Sequence, residues 1–356
     1  MAGVDVPTLA DHEALAGRLD GIERRLAAVE SGTGPTQPTT PVAGAWLAGA
    51  YFGDGSNYTQ AGPDAWRAKF GFRPGMWLVY SDRKKDAASM WRAAHLINTS
   101  TFTDKSLVLV LAQSFGPERQ NVTSGKNAVT ADEVLSGRYD ADIRAMGQAM
   151  VAREAAGFAP MIVPLGWEYN GDWFHHGAAD ARKFREAWRR VRIIVRETGS
   201  RARFALIANK GYSQNPPSHS PLDAYPGDDV VDIIGVDAYD HYAVARTDVE
   251  LARELDKAGG ARWWANVAAE HRKGFMLQEW GVKNAPSAAG DKGGGDSAFF
   301  VRGMRSFFAE CAARTDLDFV GEMYFSEDDP ANVGSSLTSK RNPKASAEYA
   351  RLWGVA

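Results

Sequence analysis

Glu168 and Glu279 are the residues of this sequence whose type and setting could do chemistry together. Glu168 lies in the run Gly166-Trp167-Glu168-Tyr169-Asn170-Gly171-Asp172-Trp173-Phe174, and Glu279 in Leu277-Gln278-Glu279-Trp280-Gly281. Each follows an apolar run and stands beside tryptophan. Two carboxyls flanking one substrate can divide the hydrolysis of a glycosidic bond between them. One protonates the leaving oxygen, and the other attacks the anomeric carbon or activates a water. A lone glutamate at a strand end would more simply anchor a loop through an ion pair; the pair with its aromatic neighbours favours the chemistry. Asp54, Gln113, Asn209 and Asp237 occupy comparable positions and are candidates for binding sugar hydroxyls, or for structural rim contacts.

Other reactive groupings carry less. The adjacent pair His175-His176 lacks the spacing of a helical metal site and reads as lining a cleft or facing solvent. Ser124-Gly125-Lys126 lacks the upstream glycine of a phosphate loop. Cys311 is the only cysteine, which excludes an intrachain disulfide and a cysteine zinc cage; its apolar surroundings predict a buried, inert thiol. A net charge of −3, with no dense Lys/Arg run, gives no reason to expect a nucleic-acid partner. No apolar run reaches the roughly 18 residues of a membrane span. No metal or organic cofactor is expected.

The elements that must position the carboxyls alternate short apolar runs with helical patterns, the signature of parallel strands joined by crossover helices. Strands are expected at Trp46–Phe52, Met76–Ser81, Ser106–Gln113, Ala159–Leu165, Arg203–Asn209, Val230–Asp237, Phe275–Glu279 and Phe319–Phe325. Helices are expected over Ala141–Ala156, Ala179–Thr198, Asp248–Lys257 and Ser297–Arg314. Eight such repeats suit an α/β fold of the (β/α)8 barrel type, whose working residues lie at the C-terminal ends of strands. A doubly wound open sheet is the competitor, but Gly53 and Gly55 after the first strand do not make a dinucleotide fingerprint. On the barrel reading, strands four and seven face each other, and their glutamates can flank one sugar.

The segments GWEYNGDWF, DIIGVDAYD, LQEWG and GGGDSAFFVRGM resemble glycoside hydrolase family 26 and its relatives among the retaining barrel glycosidases, in family order from about residue 45 to the end. The resemblance implies mostly endo-acting enzymes, typically β-mannanases. It implies Glu168 as acid/base, Glu279 as nucleophile, Tyr239 as the hydrogen-bond donor to that nucleophile, and Trp173 as an aromatic platform. Trp167, Asn170, Asp172 and His175 join Trp173 as expected substrate contacts on the fourth loop. Asn209, Asp237, Trp280 and Phe325 are expected to contribute from other strands. Retention would require the carboxyls to lie roughly 5–5.5 Å apart. The indoles of Trp167 and Trp173 would desolvate Glu168 and raise its pKa. The sequence departs from the family in three places. Trp167 replaces the histidine before the acid/base, Pro164 the arginine four residues before it, and Phe325 the tryptophan ending strand eight. A charged contact near the site is therefore missing or supplied from elsewhere, and the glycan need not be mannan.

Ahead of the barrel (45–356), Leu15, Leu19, Ile22, Leu26 and Val29 recur at alternating steps of four and three. That spacing predicts a coiled-coil helix over residues 1–31, with homo-oligomer contacts through residues 9–30. A single amphipathic helix lying on the barrel is the alternative. Residues 32–44 continue the run SGTGPTQPTTP as a semi-stiff linker. The first residues lack the basic and apolar regions of a secretory signal. This layout resembles virion-associated tail proteins of bacteriophages, which implies a virion location and other tail proteins as partners; a cytoplasmic enzyme is the other expectation. A catalytically inactive barrel serving as a glycan-binding tail subunit is the competing function.

Overall fold

The computed structural model describes residues 46–53, 56–84, 86–118, 129–214, 216–217, 219–284, 292–329 and 331–354. The expected stalk (1–31) and linker (32–44), and Asp54, lie outside the described residues. Eight parallel strands close into a barrel in sequence order: β1 (Leu47–Phe52), β2 (Met76–Tyr80), β3 (Val108–Ala112), β4 (Ile162–Pro164), β5 (Arg203–Asn209), β6 (Ile233–Tyr239), β7 (Gly274–Gly281) and β8 (Asp318–Ser326). The closing pair, β1 with β8, runs in register from Leu47 opposite Gly321 to Phe52 opposite Ser326. All eight expected strands are present. Asp140–Ala155, Ala181–Glu197, Asp248–Asp256 and Ala298–Ala313 occupy the expected helical stretches.

Side chains alternate across each strand. Met76, Leu78, Val110, Ile162, Ile207, Ile233 and Met323 fill the barrel interior. Trp77, Val79, Leu109, Phe204, Leu206, Val236 and Leu277 point outward into a second apolar layer beneath the helices. The helices are started by their own side chains. Asp180 accepts from the Lys183 amide, Ser297 from the Phe300 amide, and Thr247 forms a reciprocal capping box with Glu250. β4 is shorter than the apolar pattern suggests. Pro164 has no N–H to give the ladder, and pairing resumes only as a single bridge between Gln113 and Leu165.

Two irregularities decide which side chains reach the interior. At the β6–β7 seam Gly235 pairs with Met276 but Ala238 pairs with Trp280; at the β7–β8 seam Leu277 pairs with Glu322 but Trp280 with Tyr324. β7 thus carries one extra residue between Leu277 and Trp280 against both neighbours. Strict alternation from outward-facing Phe275 and Leu277 would send residue 279 outward as well. The bulge reverses the phase, so Glu279 turns inward and Trp280 outward.

Candidate active site

The C-terminal mouth of the barrel gathers three carboxylates, two phenols and a guanidinium. Glu279, at the bulge of β7, is buried at 7% exposure. Its Oε1 accepts from the Tyr80 hydroxyl at 2.5 Å and from the Gln278 amide at 3.3 Å; its Oε2 accepts from the Tyr239 hydroxyl at 2.5 Å. Beneath it, Asp237 Oδ1 accepts from the Glu279 backbone N–H at 2.9 Å. Burial raises the Glu279 pKa, while the Tyr239, Tyr80 and Gln278 donors favour the ionised form and oppose the rise. Asp237 is pushed well above the usual carboxylate range by burial, then by the charges of Glu279 and Glu168.

Glu168 sits in the tight turn after β4. Gly166 has φ +61° and Glu168 itself φ +49°, a left-handed conformation uncommon outside glycine. The turn is held by the Glu168 N–H donating to the Ile207 carbonyl at 2.8 Å and by the Gly171 N–H donating to the Glu168 carbonyl at 2.9 Å. Strain of this kind persists where surrounding bonds over-determine it, commonly at functional sites. The Glu168 carboxyl is pushed up to about 8, first by burial and then by the charge of Glu279; the Trp173 indole N–H and the Arg83 charge pull it back.

Several expected residues take other roles. Trp173, expected to desolvate Glu168 and, by the resemblance, to serve as a platform beside the cleaved sugar, also donates its indole N–H to Glu168 Oε2 at 2.8 Å, which favours the charged form while fixing the carboxyl. Trp167 does wall the site, buried between Tyr80 and Phe174 at centroid distances of 5.3 and 4.9 Å. Asn170, expected as a sugar contact, spends its amide on the backbone of β5. It is buried, accepts from the Asn209 N–H at 2.7 Å and donates to the Asn209 carbonyl at 2.9 Å, clasping the β4 loop to β5. Asp237 is fully buried and supports the Glu279 backbone rather than presenting itself at the surface. Trp280 is also corrected. Turned outward by the bulge, it is fully buried against Tyr324, Phe308 and Trp353, and its indole N–H donates to Glu322 at 2.5 Å.

Asp172 is exposed and Asn209 half-buried at the rim. His175 is half-buried, its backbone carbonyl accepting from the Thr130 hydroxyl. His176 neither lines the cleft nor faces solvent. It is buried between the Ser114 hydroxyl (3.0 Å) and the Trp167 carbonyl (2.8 Å), and burial lowers its pKa to about 3. Gln113 is buried, its amide donating to the Ser114 carbonyl. Cys311 is buried, and burial pushes its thiol up to about 12.

The sequence reading missed Tyr80, Tyr51 and Arg83. Tyr51 stacks on Phe325 at 4.6 Å with an 11° interplanar angle, and Tyr80 meets Tyr51 edge-on at 5.3 Å. Phe325 is thus part of an aromatic floor that Tyr239 abuts at 88°. Arg83 lies over the rings of Phe174 and Trp167 at 4.5 and 5.3 Å and pairs with Glu118 at 3.2 Å. It supplies, from the loop after β2, positive charge near Glu168 that Pro164 cannot. The signal available in sequence was position: Tyr51, Tyr80 and Arg83 all lie at or just past the ends of β1 and β2.

The chain's residues 81–272, more than half of its length, match the model for glycosyl hydrolase family 26. Among solved structures, the catalytic domain of an endo-β-1,4-mannanase from Bacillus sp. JAMB-750 superposes with a TM-score of 0.59 at 14% identity, covering 86% of this chain and 85% of that one. An endo-β-1,4-mannanase double mutant from Cellulomonas fimi gives 0.57 at 18% identity, over 87% and 71%. A β-mannanase from Bacteroides ovatus gives 0.56 at 14%, over 86% and 88%. At these identities the likeness speaks for the shared barrel. The search of curated proteins found no match.

Proposed function

We propose, from the premise that this chain belongs to glycosyl hydrolase family 26, that it cleaves a polysaccharide with retention of anomeric configuration, using Glu279 as nucleophile and Glu168 as acid/base. The chain is a glycoside hydrolase; the division of labour is our reading of the site. The observation that carries it is the contrast between the two carboxyls. Glu279 accepts three side-chain donors that favour its ionised form against the rise that burial imposes, whereas Glu168, with the Trp173 indole as its one side-chain donor, is pushed up to about 8. Donors that favour ionisation of one carboxyl more than the other suit the first to be the nucleophile and the second the acid.

In the first step the Glu279 carboxylate attacks the anomeric carbon as the glycosidic bond breaks, and the leaving oxygen takes the proton of Glu168. In the second, Glu168 removes a proton from water, and the resulting oxygen displaces Glu279 from the anomeric carbon. Tyr80 and Tyr239 hold the nucleophile's two oxygens in place throughout. Proposed substrates are β-mannan, which the mannanases among the fold's neighbours motivate, or a bacterial surface or cell-wall glycan. We further propose an endo mode of attack and, from the heptad seam and linker in the sequence, presentation on an oligomeric stalk as a bacteriophage tail component.

Reducing-sugar release by the wild type, Glu168→Gln and Glu279→Gln on mannans, glucans, xylans and bacterial cell-wall glycans tests the reading. Activity in the wild type alone, with a retained anomer by NMR, is expected. Binding without turnover in all three would make the barrel a glycan-binding tail subunit. Sedimentation of the full chain as a monomer would remove the stalk.

A further inference from the structure

Among the described residues only three aromatic rings of Trp, Tyr or Phe are exposed: Trp173, Tyr212 and Tyr242, at 36, 57 and 66%. All three stand on the catalytic face, on the loops that follow β4, β5 and β6, three neighbouring strands of the barrel. Trp173 already serves Glu168. The other two have no part in the chemistry described above; a single exposed ring needs no explanation, but exposed rings gathered on one face, beside a reactive site, mark a surface that binds something amphipathic.

The loops that carry them are built. The Asn170 side chain bonds the backbones of Asn209 and Gly211, next to Tyr212, and the Gln214 N–H donates to the Asn170 carbonyl at 2.7 Å. The Lys210 ammonium bonds the carbonyls of Tyr239 (2.9 Å) and His241 (3.4 Å), next to Tyr242. One lysine and one asparagine thus tie three consecutive loops together. Tyr242 is held at φ +62° and stacks on the His241 ring at 3.6 Å and 24°. A bulky residue in that conformation needs a reason to be shown to solvent.

We infer that Tyr212 and Tyr242 are sugar-stacking platforms of an extended subsite that leads away from Glu168 over the β5–β6 side of the barrel mouth, and that its occupant is a glycan chain. Flat phenol rings fit the C–H faces of pyranose units while leaving the hydroxyls in water, and continuity with the carboxylate site supplies the direction. Rings on a fixed frame lose little entropy when the chain lies down. The inference rests on the proposed hydrolase reading for its ligand class and adds the part of the surface that makes the enzyme prefer a polymer.

The test uses the full chain carrying Glu279→Gln, so that binding is read without turnover, in affinity electrophoresis through the same panel of polysaccharides. Adding Tyr212→Ala and Tyr242→Ala together should weaken retardation by the bound polymer about tenfold, the equivalent of about 1.4 kcal/mol. Tyr212→Phe with Tyr242→Phe, which keeps the rings, should bind as the parent does. Unchanged binding in the alanine pair, or no retardation of the parent by any glycan, would overturn the inference. Wild-type turnover is assayed separately. A chain that binds through these rings but releases no sugar would sink the hydrolytic mechanism and leave the subsite standing.

Discussion

The Tyr80 hydroxyl donates to Glu279 Oε1 at 2.5 Å although 199 residues separate the two in the chain. With Tyr239 on the other oxygen, it makes a two-phenol clamp that favours the ionised carboxyl against the rise that burial imposes.

Removing either phenol should therefore slow the reaction and shift its acid limb. A hydrogen bond to a charged group contributes about 1.5–3 kcal/mol, so Tyr80→Phe and Tyr239→Phe should each lower kcat/KM by about 10- to 100-fold. Each donor favours the ionised form, so its loss raises the Glu279 pKa, and the acid limb of kcat/KM against pH should move upward. An unmoved limb would mean that Tyr80 is only packing.

Glu168 should own the alkaline limb. Its proton is held to about 8, so kcat/KM should fall as pH rises through that value. A linked effect appears in stability. A carboxyl raised in the folded state penalises folding once the unfolded chain ionises it, from about pH 4.5 upward, and the penalty grows until about pH 8. Glu168→Gln should then melt higher than wild type at pH 8 and closer to it at pH 4.5. A melting difference independent of pH would contradict the raised pKa.

Trp280 should matter for stability and hardly for turnover. Trp280→Phe leaves a buried oxygen of Glu322 without its indole donor, a loss of about 1–3 kcal/mol. The other oxygen keeps Trp353 at 2.9 Å. The melting temperature should drop by several degrees while kcat/KM of the folded variant changes less than about twofold. A variant of unaltered stability with a raised KM would restore Trp280 to the substrate site.

His176 should stay neutral through the working range. Burial is the largest cause of its low pKa and the Arg83 charge the next, so its ring resonances should not titrate between pH 8 and pH 5. The unfolded chain takes up that proton near pH 6.5, so stability is lost as pH falls from there towards 3. A midpoint near 6.5 in the folded-state NMR titration would place the ring in solvent instead.

What the sequence determined by itself is local and periodic. Apolar runs of strand length separated by helical patterns specified eight βα repeats, and repeats of that kind close into a barrel whose strand ends carry function. Glu168 and Glu279 were legible because a carboxylate after an apolar run stands out against its neighbours. The tertiary structure decided the facing. A two-residue alternation counted along β7 assigns residues 277 and 279 to the same outer side; the extra residue that inverts this is defined only by pairing with β6 and β8. That inversion carries Glu279 into the site and Trp280 out of it. Tyr80 and Arg83 reach the carboxylates only because barrel closure brings β2 near β4 and β7. A polar or aromatic residue at a strand end has no periodicity of its own, so its partners are chosen by packing.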